Sequence, residues 1–252
     1  MRRSRKQRME QTVAMIQARW GPRAIRRASQ ADPVAEPTVL STGFPAIDRA
    51  LGGGLPRGHI TELVGGGTAG QMTLAAKTLL EAQQQGLPVV YIDIWQAIDL
   101  DLLARCGVHL EPLVVLRPSG LAQAVAMTGD LLRGGGVGAI VLDRLHPLLA
   151  GSADLQMLAQ QLPTWGLLLS RTLCALLILT EIIVPDDYPY GPTLPHVSHT
   201  RLGFDWQRWT YRRRRCNGFV SQVTVLKNRS GPAGATRQLR VTFTNGIHAE
   251  GR

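Results

Sequence analysis

Between residues 60 and 181, short apolar runs alternate with longer amphipathic stretches. Ile60–Val64, Val89–Asp93, Leu113–Leu116, Ala139–Asp143 and Leu173–Thr180 are near-continuous apolar runs, the pattern of strands buried on both faces of a parallel sheet. Stretches 72–85, 98–106, 120–133 and 154–171 carry apolar residues at helical spacing. This alternation predicts an α/β domain with a mostly parallel central sheet. A short helix near Phe44–Leu51 and the turn Gly52-Gly53-Gly54-Leu55-Pro56 precede the first strand.

Upstream, Met9, Val13, Ile16 and Trp20 recur on one face of a helix that Gly21-Pro22 ends. Gln30–Pro37 reads as a linker. The expected organisation is a basic arm with an amphipathic helix over 1–36, a core over 37–247 and a tail over 248–252. Past Pro185 the pattern breaks, and Asp186–Thr200, interrupted by Pro189, Pro192 and Pro195, is expected as a loop. Residues 202–211 are aromatic and basic. Two alternating runs, Phe219–Leu226 and Leu239–Phe243, predict a β-ribbon closing the sheet.

Composition narrows the partners. Lys and Arg outnumber Asp and Glu by 28 to 18, a formal charge of +10, which favours a polyanion, most simply nucleic acid. An acidic membrane surface is the competing target, but the most apolar run is too short to span a bilayer. No apolar signal segment follows the basic N-terminus. Cys106, Cys174 and Cys216 are far apart with no C-x-x-C pair, which fits a reducing cytoplasm and argues against a disulfide framework or a zinc site. His196 and His199 sit in the proline-rich segment with no third ligand nearby, so no metal is expected.

The segment Gly65-Gly66-Gly67-Thr68-Ala69-Gly70-Gln71-Met72 has the glycine spacing of a phosphate-binding loop between a strand and a helix. Such a loop wraps phosphates with backbone N–H groups, meets them with a Lys and holds Mg²⁺ through a hydroxyl. Here Gln71 stands at the Lys position and Met72 at the hydroxyl position. Thr68, Thr73 (one residue late for Mg²⁺) and Asp143 remain as candidate contacts. The alternative is a tight strand–helix turn with no ligand.

Taken together, these pieces resemble the RecA/RadA-like recombinase family over about residues 8 to 247. Leu40-Ser41-Thr42-Gly43, Ile47-Asp48, Gly54-Leu55-Pro56-Arg57-Gly58 and Glu62 follow the family's lead-in to the loop. Tyr91-Ile92-Asp93 and Ile140-Val141-Leu142-Asp143 match the next strand and the Walker-B strand. Val223 to Arg229 and Asn245-Gly246-Ile247 match the end of the core. The resemblance implies a RecA-like P-loop NTPase core with helices on both sheet faces and an N-terminal helix. It also implies that Trp95 stands where the family's Glu would polarise the attacking water. ATP and Mg²⁺ are therefore expected to bind weakly at most, and no cofactor is required.

The family's late-strand cations reach a neighbouring subunit, so Lys227 and Arg229 join Met9, Val13, Ile16 and Trp20 as expected subunit contacts; ordinary solvated strand charges are the alternative for the pair. DNA contact is expected from Trp206, Arg208, Trp209, Tyr211, Arg212, Arg213, Arg214 and Arg215, which combine stacking platforms with cations. The alternative is a structural hairpin with a solvated tip. Three functions follow. The first is a non-catalytic accessory in DNA repair and the SOS response, similar to the ImuA-type proteins that serve a translesion polymerase assembly. The second is a working DNA-dependent ATPase with an unusual loop. The third is a scaffold docked on another RecA-fold subunit. Single-stranded DNA, a second copy or RecA-fold relative, and a polymerase assembly are the partners implied, in the cytoplasm and away from membranes.

Overall fold

A computed structural model describes residues 4–21, 39–149, 151–182, 188–243 and 248–251. The chain divides into two compact units, Met1–Pro37 and Thr38–Arg252. In the first, α1 (Arg5–Trp20) starts ahead of the expected apolar face because Ser4 and Gln7 cap it reciprocally. The Gln7 N–H donates to Ser4 Oγ at 3.2 Å and the Ser4 N–H to Gln7 Oε1 at 3.0 Å, satisfying two donors that a helix start leaves open.

In the second unit, a small antiparallel pair, β1 (Val39–Leu40) and β2 (Leu55–Pro56), brackets α2 (Pro45–Leu51). Strict alternation follows: β3 (Ile60–Gly65), α3 (Gln71–Gln84), β4 (Val89–Asp93), α4 (Leu100–Arg105), β5 (Leu113–Leu116), α5 (Leu121–Gly134), β6 (Ala139–Leu145), α6 (Ala153–Thr172) and β7 (Ala175–Glu181). Then come α7 (Thr193–Val197), β8 (Thr200–Arg212), β9 (Arg215–Asn228), β10 (Thr236–Thr242) and β11 (His248–Gly251).

The main sheet runs β11-β10-β9-β8-β3-β7-β6-β4-β5. Neighbours from β8 through β5 are parallel, and those from β8 to β11 are antiparallel. The period-2 rule explains the packing: β4 sends Val89 and Tyr91 to the core shared with Leu74 and Leu79 of α3, and Val90 and Ile92 to the core shared with Leu158 and Trp165 of α6. Burial on both faces is why these strands read as continuous apolar runs.

Three expectations are corrected. The proline-rich segment contains α7, because Pro192 is its N-cap and Pro195 lies in its first turn, where a missing N–H costs no helix bond. Leu173, expected to open β7, instead caps α6 at φ 54° in the left-handed region. Residues expected as a tail form β11, which pairs with β10 and covers its otherwise open edge.

Candidate functional site

The loop after β3 lies at the C-terminal end of the parallel strands, where α/β sheets place their ligand crevices. Gly67 at φ 51° and Gly70 at φ 106° take left-handed backbone that turns the chain into α3. Gly65 is needed for space: a Cβ there would lie 2.4 Å from the Gln71 amide nitrogen and 2.8 Å from the Phe204 carbonyl oxygen. The Gln71 side chain is therefore folded back onto Gly65, and it is buried.

Beside the loop is a cleft of about 430 Å³. Gly67, Thr68, Gly70, Gln71, Met72, Thr73 and Asp143 line it, so the structure gathers most of the expected nucleotide contacts. Gly65 and Ala69 are buried behind them, and Gly66 closes on the Ile182 carbonyl, 2.7 Å from where its Cβ would be.

The chemistry at the Walker-B position is altered. The Tyr91 hydroxyl donates to Asp143 Oδ2 at 2.5 Å and lies 3.3 Å from Met72 Sδ. Burial raises the Asp143 pKa above the ordinary carboxylate range, against the opposing pull of Tyr91 and Arg144. Burial, followed by the Asp143 charge, pushes the Tyr91 hydroxyl up as well. Asp143 Oδ1 is buried with no hydrogen-bond partner among the described residues; Arg144 Nε lies 3.7 Å from it.

Trp95 donates its indole N–H to the Arg144 carbonyl at 2.8 Å and meets the His146 ring edge-on. Asp93 is committed to the turn, accepting from Ala97 N–H at 2.9 Å and Ile98 N–H at 3.1 Å. These residues do not fit a Mg²⁺-triphosphate. The loop presents no cation, a thioether replaces the metal's hydroxyl, and the Walker-B carboxylate is held by a tyrosine.

Sequence reasoning missed the other cleft walls. Glu181 ends β7 inside the cleft, its Oε2 3.4 Å from Arg144 Nη1. Phe219 and Phe243 form an aromatic wall. A carboxylate closing an apolar strand was the available signal for Glu181; nothing local marked the two phenylalanines.

The second candidate region is the β8–β9 hairpin. Trp206, Arg208, Trp209, Tyr211 and Arg212 to Arg215 are all exposed on it. Strict alternation would place Trp206 and Trp209 on opposite faces. The register skips Gln207, with Trp206 opposite Ser221, Arg208 opposite Val220 and Trp209 opposite Phe219. That bulge brings Trp206 and Trp209 to one face, their rings 5.8 Å apart. A second register shift falls between Thr210 and the exposed Tyr211.

Trp209 meets Phe219 at 6.0 Å and Phe219 meets Phe243 at 6.1 Å, so the rings run from the hairpin to the cleft wall. At the tip, Arg213 (φ 48°) and Arg214 (φ 66°) both adopt left-handed backbone between the paired Arg212 and Arg215. Two-residue turns of this kind favour Asn-Gly, and arginine there costs about 1–2 kcal/mol per residue.

The base of this hairpin is braced. Glu62, fully buried in β3, accepts from Arg201 Nε at 2.5 Å, Tyr188 hydroxyl at 2.5 Å and Thr180 Oγ1 at 3.0 Å. A buried charge needs such partners. His199 stacks on His59 at 4.3 Å and lies 3.1 Å from Ser230 Oγ, while His196 lies in α7.

Lys227 Nζ donates to the Pro195 and His196 carbonyls at 2.7 and 2.8 Å, and Arg229 donates to the same His196 carbonyl. Within one chain, both cations thus cap the end of α7. On α1, Met9 is 64% exposed and Val13 and Ile16 are half-buried; the Trp20 side chain lies outside the described residues.

Known proteins share this architecture. The RecA N-terminal domain family model matches residues 7–180. Protein RecA of Delftia acidovorans is 26% identical over 264 residues, covering 96% of this chain and 72% of that protein. Protein RecA of Methylobacterium sp. (strain 4-46) is 28% identical over 246 residues, covering 92% of this chain and 66% of its own length. The crystal structure of the RadB recombinase superposes with a TM-score of 0.66 at 21% identity, covering 84% of this chain and 99% of that one.

Proposed function

Because the chain belongs to the RecA family, we propose that it is a single-stranded-DNA-binding protein of recombination and repair that does not turn over ATP. The observation that carries this reading is the rebuilt cleft: Gln71 folded onto Gly65, and Met72 set against the Tyr91–Asp143 pair. With Gln71 at the Lys position, Met72 at the metal-hydroxyl position and Trp95 in place of a carboxylate, the groups that align and activate a water at a γ-phosphate are replaced. DNA engagement is supported by the aromatic stripe of the hairpin and its four-arginine tip.

An accessory role of this kind fits a cytoplasmic protein serving a translesion polymerase assembly, as in the ImuA-type proteins. Among the described residues no helix is long and apolar enough to cross a membrane. The exposed Met9 supports docking of α1 on a second RecA-fold subunit. Deleting residues 1–30 should then lower the number of subunits per particle, alone or with a RecA-type partner; an unchanged subunit number rejects the docking.

The central test is ATP hydrolysis by purified protein with and without single-stranded DNA, alongside fluorescence-anisotropy titration of labelled strands. Strand binding at micromolar or lower concentration without turnover is expected. DNA-stimulated hydrolysis that survives repurification overturns the non-catalytic reading, and absence of strand binding overturns the DNA reading.

A further inference from the structure

The cleft keeps its volume while losing the groups that suit a triphosphate. Its charged lining is acidic on balance: Asp99, Asp143 and Glu181 face one cation, Arg144, which already lies within 4 Å of two of them. A polyphosphate brought here would meet carboxylates without a free counter-charge. Phe219 and Phe243 also line the cleft, and their rings continue through Trp209 and Trp206 onto the exposed hairpin. The cleft is therefore the inner end of the aromatic stripe.

Its lining matches the two aspects of a nucleobase. Phe243, half-buried, offers a ring for stacking and is backed by the buried Phe219. The carboxylates accept from an exocyclic amino group, as acidic side chains do from cytosine N4. Arg144 supplies a donor for a ring nitrogen or carbonyl. The volume of about 430 Å³ falls in the range of small-molecule sites.

We infer that this cleft receives one unstacked base of the strand lying on the hairpin, and that it selects a base carrying an exocyclic amino group over thymine. The inference rests on the proposed strand binding by the hairpin. The strand's backbone stays with the tip arginines while one base turns inward past Trp209. Glu181 is the acceptor that discriminates, and Phe243 is part of the stacking wall.

The test uses the full chain and labelled oligothymidine strands, with and without a single internal cytosine. The cytosine-bearing strand should bind about tenfold tighter, as for one hydrogen bond to a charged acceptor. Glu181→Ala should erase the preference between the two strands. Glu181→Gln, which keeps a carbonyl acceptor, should retain part of it.

Equal binding of both strands by the parent protein overturns the inference and leaves the proposed function standing. A preference that survives Glu181→Ala in a folded variant assigns the selectivity elsewhere and also overturns it. Failure to bind either strand overturns the proposed function itself, and this inference with it.

Discussion

Exchanging Arg208 and Trp209 isolates the face of the hairpin from its composition. The double variant Arg208→Trp, Trp209→Arg keeps every charge and ring but moves one indole to the opposite face. Trp209 is 40% exposed and lies 5.8 Å from Trp206 and 6.0 Å from Phe219. Losing these two aromatic pairs costs roughly 1–3 kcal/mol of stability, less than the ~5–15 kcal/mol of an ordinary domain. The fold should survive. Removing one stacked base costs about 1–3 kcal/mol of binding, a weakening of about 5- to 150-fold.

Since every phosphate-binding cation is kept, the slope of log affinity against log salt should stay within ~0.7 of the parent value, the share of a single phosphate. Anisotropy titrations at four or five salt concentrations give both quantities, with circular dichroism to confirm folding. Parent-like affinity in a folded swap variant would refute the idea that the bulge builds a stacking face. A collapse of the slope with little loss of affinity would show that the segment acts through charge alone.

Changing Arg212 to Arg215 to alanine should lower the salt slope by about 0.7 for each phosphate no longer neutralised, and an unchanged slope would leave the tip without a role. Replacing only Arg213 with Asn and Arg214 with Gly should relieve the left-handed strain and raise Tm by about 2–4 °C per kcal/mol recovered, while weakening strand binding; scanning calorimetry and anisotropy check the trade-off. Gln71→Lys with Met72→Thr should strengthen nucleotide binding without restoring hydrolysis, since Trp95 still occupies the activating position; steady phosphate release by this variant contradicts the assignment.

Burial, then the charges of His59, Arg229 and Lys227, holds the His199 pKa down at about 4. The unfolded chain therefore takes up that proton first. The stability due to this group is complete above about 6.5 and is lost as pH falls from there to about 4. Urea unfolding of His199→Asn across this window should show a shallower loss than the parent.

Much of the scaffold is legible in local pattern. β4 occupies Val89–Asp93, the same residues as its apolar run, because burial on both faces leaves a strand little freedom in composition, and the edge strand β5 likewise occupies Leu113–Leu116. The substitutions at Gln71, Met72 and Trp95 were likewise visible, since a phosphate loop is defined by residue type at fixed spacing. Proline misled at α7 because its cost depends on position within the helix, which residue counting does not register.

Other features were decided only by tertiary contacts. Glu62 and Arg201, distant in sequence, meet because β3 and β8 are parallel neighbours. Gln71 reveals its replacement of the lysine as a packing choice only once it is seen against Gly65. The shared face of Trp206 and Trp209 depends on one skipped pairing at Gln207, a property of two strands in register that no single strand carries. The sequence by itself determined which residues are buried and which chemistry is missing, because hydrophobicity and functional groups belong to single residues. The direction in which the remaining groups point was set by strand pairing, because register and bulges exist only between segments.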